Sequence, residues 1–273
     1  MFYLVGLGLG DARDISVKGL EIVRRCDAVY LEAYTSILTC GVEALEELYG
    51  RPVTLADRET VEQGLDSVIA GATERDVALL VVGDPFAATT HHDLVLRAAE
   101  RGVPCQVVHN ASIMSAVGCC GLQLYSFGET VSIPFWTETW RPDSFVERID
   151  ANLARGLHTL CLLDIKVKEQ SVENLVRGRR VFEPPRYMSV SAAAGQLLEA
   201  VADRPEDWAG LTPSTRAVGL ARVGTDRQRI EVGPLRDLAV CDAGPPLHSL
   251  VIVGKTHPME EDFLKQFEPK SSD

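Results

Sequence analysis

A two-domain α/β chain built on buried parallel strands is the fold the sequence predicts, and three observations predict it. The stretch Val77–His92 opens with a nearly unbroken apolar run, Val77–Gly83, of the kind a strand shows when both its faces are covered. Short apolar runs alternate with segments of helical period through the first half, the pattern of a parallel sheet with right-handed crossovers. At 273 residues the chain sits near the size where a single core stops growing and splits. Pro134–Asp143, with two prolines, two tryptophans and no period, breaks the rhythm and is the expected connection between domains at 1–134 and 135–273.

Taken in order, Phe2–Gly10 begins as a central strand and ends in a turn opened by Gly6, Gly8 and Gly10. Ser16 is a plausible N-cap for a helix to about Cys26, because its hydroxyl can accept from the first free N–H groups. A strand is expected at Ala28–Ala33, a helix at Val42–Tyr49 ended by Gly50, a short strand at Pro52–Ala56 and a helix at Thr60–Ala70. The Val77–Gly83 strand stops at Gly83-Asp84-Pro85, where one residue frees φ and the next but one fixes it. A helix at Asp93–Arg101, a strand at Pro104–His109, a small-residue helix at Met114–Cys120 and a strand at Thr130–Ile133 complete the first half. The second half is expected to run through a helix at Asp143–Arg155, a buried strand at His158–Ile165 and a helix capped by Ser189 or Ser191. A polar surface loop at Arg204–Ser214 follows. Then come a strand pair at Ala217–Val223 and Gln228–Val232, a short helix at Pro234–Val240, a strand at Leu247–Val253 and a terminal helix near Met259–Phe267, with a frayed tail at Lys270–Asp273.

Bulk properties exclude several classes. Apolar residues make up 46% of the chain, which argues against disorder. A net charge of −12 disfavours non-specific nucleic-acid binding and attachment to an anionic membrane. Arg177, Arg179 and Arg180 form a local basic cluster, read as a solvated loop. There is no signal-peptide pattern and no apolar run of about 18 residues. Seven cysteines without a Cys-x-x-Cys suggest reduced, buried thiols in a cytoplasmic protein. The histidines show no metal-ligand spacing, so a metal site is not expected.

Candidate site residues gather at strand ends: Gly8–Gly10, Gly83–Ala87, Asn110–Ile113, Leu163-Asp164 and His248. Ligands of open parallel sheets bind beyond the carboxyl ends of strands. The residues come from both halves, which implies a ligand held between two lobes. The Gly-rich turn is neither a Rossmann fingerprint, since residue 11 is Asp, nor a P-loop, since no Gly-Lys-Ser/Thr follows. Mostly uncharged residues suit a flat base, a ribose and an amino-acid end rather than a triphosphate. S-adenosylmethionine fits that description.

With these positions aligned, the chain resembles the diphthine synthases, a family with the tetrapyrrole-methylase fold. The carrying runs are YLVGLGLGDARDISVKGLE (Tyr3–Glu21), GDPFAATTH (Gly83–His91), HNASIMSAVGCCGLQLY (His109–Tyr125), FWTETWRPDSF (Phe135–Phe145), LCLLDIKVKEQS (Leu160–Ser171), EPPRYMSV (Glu183–Val190), GLARVG (Gly219–Gly224) and PLHSLVI (Pro246–Ile252). The resemblance implies a mainly parallel N-terminal sheet, a mixed C-terminal sheet, S-adenosylmethionine in the cleft between, and a homodimer. It implies methylation of a modified histidine on translation elongation factor 2: trimethylation of an aminocarboxypropyl amine, then esterification of its carboxylate. It carries cofactor contacts onto Leu9, Asp84, Ala87, Ser112, Ile113, Leu163, Val223 and His248, with no metal. Ala87, where relatives usually have Gly, strains the loop only if its φ is positive; His92 stands where Ser is common. No catalytic base is nominated; Asp84 and Asp164 are candidates to orient cofactor or acceptor, each alternatively a structural turn acid. The competing functions are a small-molecule tetrapyrrole methylase and a non-catalytic elongation factor 2 binding protein.

Overall fold

Strand β4 (Val77–Val81) shows why the first sheet forms where it does. Val77, Leu79 and Val81 enter one apolar cluster, and Ala78 and Leu80 enter another. Successive side chains of a strand point to opposite faces, so a run without a polar position is what a strand covered on both sides requires. Leu79 and Leu80 are fully buried, each contributing about 1.5–3 kcal/mol relative to exposure. The architecture comes from a computed structural model that describes residues 1–268 apart from 33–39, 57–67, 70, 168, 171–173, 175, 180, 205, 207 and 209.

The chain divides into two compact units, Met1–Ala116 with Gly224–Asp226, and Val117–Val223 with the chain from Arg227 on. In unit 1, β1 (Phe2–Gly6) lies between β4 and β5 (Cys105–Val108), while β2 (Ala28–Glu32) and β3 (Thr54–Ala56) extend the other side. The order β3-β2-β4-β1-β5 is parallel throughout. Its helices include α1 (Val17–Arg25), α2 (Gly41–Tyr49), α3 (His92–Glu100) and the short α4 (Ile113–Ala116). Ser16 caps α1 as expected, its hydroxyl accepting from the N–H of Gly19 at 3.1 Å. The small-residue helix is shorter than expected, continuing as a 3-10 turn over Val117–Cys120. The helix expected at Thr60–Ala70 falls almost wholly outside the described residues, as does the tail.

Unit 2 holds β6 (Val131–Ile133), α5 (Ser144–Ala154), β7 (Thr159–Leu163), β8 (Ile165–Lys166), β9 (Arg186–Tyr187), α6 (Val190–Asp203), β10 (Arg216–Ala221), β11 (Arg229–Pro234), α7 (Leu235–Leu238), β12 (His248–Ile252) and α8 (Pro258–Leu264). Its main sheet, β11-β10-β12-β7-β6, is antiparallel except for the parallel β6–β7 pair. Val146 and Ile149 of α5 and Ala193, Ala194 and Leu197 of α6 pack with Cys161, Leu250 and Ile252 in one core. Ser189, not Ser191, caps α6, accepting from the N–H of Ala192.

Two expectations differ from the structure. The strand expected at Thr130–Ile133 to complete the first half spans Val131–Ile133, pairs with β7 and belongs to unit 2. A three-residue strand carries alternation but no information about its partner. The Pro134–Asp143 segment is likewise part of unit 2 rather than a connection. Trp136 Nε1 donates to Pro142 O at 2.9 Å, and Gln196 Nε2 donates to Pro134 O at 2.9 Å.

All seven cysteines are free. Burial pushes the Cys26 and Cys120 thiols up to about 11 and raises the fully buried Cys161 further, so these thiols resist the ionisation that oxidation chemistry needs. Among the described residues, no helix is long and apolar enough to cross a membrane.

Candidate cofactor site

Three strand-end loops of unit 1 are stitched together by backbone. Beyond β1, the N–H of Gly83 donates to Gly8 O at 2.8 Å, and the N–H of Gly8 donates to Gly83 O at 3.2 Å. Both glycines sit at φ +78, the left-handed region that side chains disfavour. The third loop, after β5, joins through Asn110. Its Nδ2 donates to Gly6 O at 3.0 Å and to Asp14 O at 2.9 Å. Five predicted residues, Leu9, Asp84, Ala87, Ser112 and Ile113, lie on these joined loops.

The glycine turn is already filled by an anion of the protein's own. Asp14 Oδ2 accepts from the N–H groups of Gly10 at 2.7 Å and Leu9 at 3.3 Å. Donors that would cradle a phosphate elsewhere are spent on this carboxylate, and Arg13 is paired with Asp11 at 2.6 Å. The turn therefore suits a ligand without a phosphate chain.

Asp84 works chiefly as a turn acid. Oδ1 accepts from the N–H of Phe86 at 2.9 Å; Oδ2 accepts from the N–H of Asn110 at 3.0 Å and lies 2.9 Å from His109 Nδ1. Burial alone would push its carboxyl up, but these donors together hold it below the ordinary carboxylate value. Ala87 does not adopt a positive φ, the one condition under which its methyl would strain the loop. Ala88, at φ 56, carries the left-handed conformation instead, and the N–H of Ala87 donates to Asp84 O at 3.2 Å. Phe86 stacks on His92 with ring centroids 4.2 Å apart and meets His109 edge-on. Beneath the turn, buried His91 directs Nδ1 to Pro85 O at 3.3 Å, with Nε2 4.0 Å from the Glu32 carboxylate.

In unit 2 the remaining three predicted residues share one end of the sheet. Leu163 ends β7, His248 begins β12 opposite Ala221 of β10, and Val223 lies just beyond β10. Leu163 and Val223 stay half-buried, leaving apolar surface for contact. Both ring nitrogens of His248 are engaged: Nδ1 accepts from the N–H of Val190 at 3.2 Å, and Nε2 donates to Pro245 O at 3.0 Å. Burial, the largest influence, holds its imidazole below the ordinary value, and its donor is not free for a ligand. Asp164 Oδ2 accepts from the N–H of Phe135 at 3.0 Å and pairs with Lys166 Nζ at 3.2 Å.

Sequence reasoning missed Asp14, His109 and Arg222. Arg222 sits at φ 52 and is held there by its own side chain, which donates to the carbonyls of Arg227, Ala243 and Pro245. The Asp14 partners and one Arg222 partner, Arg227, lie within five positions, whereas Asp84 of His109 and Ala243 and Pro245 of Arg222 lie more than twenty positions away. Among the described residues, no three His, Cys, Asp or Glu side chains converge as a metal ion would need.

On the unit 1 loops the charged side chains Asp11, Arg13, Asp14 and Asp84 are engaged within the protein. The family model for tetrapyrrole (corrin/porphyrin) methylases matches residues 1–239. The chain belongs to this family and is a methyltransferase. Within the family its likeness is to the diphthine synthases. It is 64% identical over 271 residues to the diphthine methyl ester synthase of Homo sapiens, covering 98% of this chain and 95% of the human one. It is 57% identical over 268 residues to that of Schizosaccharomyces pombe, covering 98% and 94%. A diphthine synthase crystal structure superposes with a TM-score of 0.82 at 35% identity, covering 98% of this chain and 96% of that one.

Proposed function

We propose that the chain transfers methyl groups from S-adenosylmethionine to the aminocarboxypropyl-modified histidine of translation elongation factor 2, as a cytoplasmic homodimer. The amine is trimethylated and the carboxylate esterified, giving diphthine methyl ester. The observation that carries this reading is likeness to diphthine methyl ester synthases across 98% of the chain. The loop chemistry supports the donor: a glycine turn whose N–H groups are taken by Asp14 favours an adenosyl sulfonium over a nucleotide phosphate.

When bound, the donor supplies an electrophilic methyl group on a sulfonium, so the protein's task is alignment. Leu9 and Ile113 of unit 1, and Leu163 and Val223 of unit 2, would contact it by shape. Ser112 and Ala87 offer backbone, and Asp84 fixes the loop that presents it. His248 acts through the backbone it orders. No single base is assigned: a carboxylate needs none at pH 7, whereas an amine must lose one proton per methyl added. A pocket serving both cannot depend on one placed base.

The test is incubation of the purified protein with S-adenosylmethionine and elongation factor 2 bearing the aminocarboxypropyl histidine. Mass spectrometry of the histidine peptide is expected to show successive methyl increments ending in an ester that mild alkali removes. An unmodified peptide, with a corrin or sirohaem precursor labelled instead, assigns the chain to small-molecule methylation. Calorimetry with S-adenosylhomocysteine showing no binding assigns it to a non-catalytic role. Sedimentation checks the dimer.

A further inference from the structure

The ribbon formed by β8 and β9 opposes two like charges. Lys166 pairs directly with Arg186 in the antiparallel register, as Ile165 does with Tyr187. Residues directly opposite share a face, and like charges there are destabilising. The protein neutralises each cation separately. Lys166 Nζ lies 3.2 Å from Asp164 Oδ2, and Arg186 lies 2.8 Å from Glu169 Oε2. The Arg186 guanidinium also sits over the Phe135 ring, 4.5 Å from its centre, and the Phe135 N–H holds Asp164 at 3.0 Å. Yet the two cations remain 37% and 50% exposed. A lysine carries three donors and an arginine five, more than one carboxylate partner can use.

Position gives this arrangement a purpose. Only Asp164 and Ile165 separate Lys166 from Leu163, the residue at the end of β7 assigned to the donor. The reacting carboxylate is the anionic end of the acceptor and approaches a chain of net charge −12, so it needs a local cationic seat. We propose that Lys166 and Arg186 receive the carboxylate of the acceptor's aminocarboxypropyl group; the assignment rests on the methyl-transfer reading above. During ester formation a carboxylate oxygen bonds to the methyl carbon as the sulfur–carbon bond breaks. The negative charge on the acceptor and the positive charge on sulfur vanish together, and no proton moves. The two cations therefore bind the acceptor's carboxylate more strongly before transfer than during it, and release the ester, whose carboxyl is no longer charged. Interactions of this kind lower KM without raising kcat.

The test compares wild type with K166Q, R186Q and the charge-keeping K166R and R186K, using full-length protein and modified elongation factor 2. Each Gln variant is expected to raise the acceptor KM about tenfold or more, the scale of a lost charge-assisted hydrogen bond. The kcat for esterification is expected not to fall, S-adenosylhomocysteine affinity to stay within about twofold, and K166R and R186K to recover most of the KM. An acceptor whose carboxylate is converted to an amide is expected to bind wild type and Gln variants alike. An unchanged acceptor KM in the Gln variants with intact cofactor binding overturns this assignment alone, as does an equal KM loss with the amide acceptor. Should R186Q fail to fold, K166Q and R186K decide the matter by the same measurements. Failure of the wild type to methylate the acceptor overturns both readings.

Discussion

Asn110 spends its whole side-chain amide on backbone. Besides the bonds to Gly6 and Asp14, its Oδ1 accepts from the N–H of Ala111 at 2.7 Å. Removing it leaves two carbonyls without their partner, a loss of about 1–3 kcal/mol. N110A is expected to show that loss in urea unfolding and to weaken S-adenosylhomocysteine binding about tenfold by calorimetry, because the loop after β5 loses its side-chain tie to the loop after β1. N110D is expected to be worse, since it turns an acceptor toward the same carbonyls. The residue was visible in the sequence as a strand-end polar group. Its partners were not, since they lie about a hundred positions away along the chain.

At the scale of elements, the parallel strands of unit 1 end where another backbone comes too close for a side chain. A Cβ at Gly6 would stand 2.7 Å from Gly83 O and 2.9 Å from Asn110 Cβ. G6A is expected to cost about 1–3 kcal/mol, the range for overpacking, seen as a lower urea midpoint at unchanged slope. The apolar runs of β1 and β4 were legible because burial on both faces leaves a composition signal that needs no knowledge of partners. β6 and the β8–β9 ribbon were not. Strands of two or three residues are shorter than any period can register, and a neighbouring strand settles where they go.

For the whole molecule, buried His91 and His158 and half-buried His248 set the response to acid. His91, His158 and His248 all lie below the ordinary histidine value, chiefly because burial penalises the charged ring. His158 Nδ1 accepts from the N–H of Gly254 at 3.0 Å, so Nε2 carries the proton toward Glu260, 3.4 Å away. The unfolded chain takes up protons near pH 6.5 that the folded chain refuses. Stability is therefore full above about pH 6.5 and falls as pH drops toward the lower folded values. Asp84 and Glu260, both held low, keep their contribution above about pH 4 and lose it below. Melting temperature measured from pH 8 to 5 is expected to decline, and H158Q or H248N to flatten part of the decline. A flat wild-type profile would contradict this.

Composition and spacing alone determined the α/β class, the buried strands and the turns that end them. These follow from burial and backbone freedom, which each residue carries with it. Only the folded chain decided that Asp14 fills the glycine turn, that Asp84 serves its own loop and that His248 has no proton to offer. A hydrogen bond belongs to two groups at once, and the second lies wherever the tertiary structure puts it.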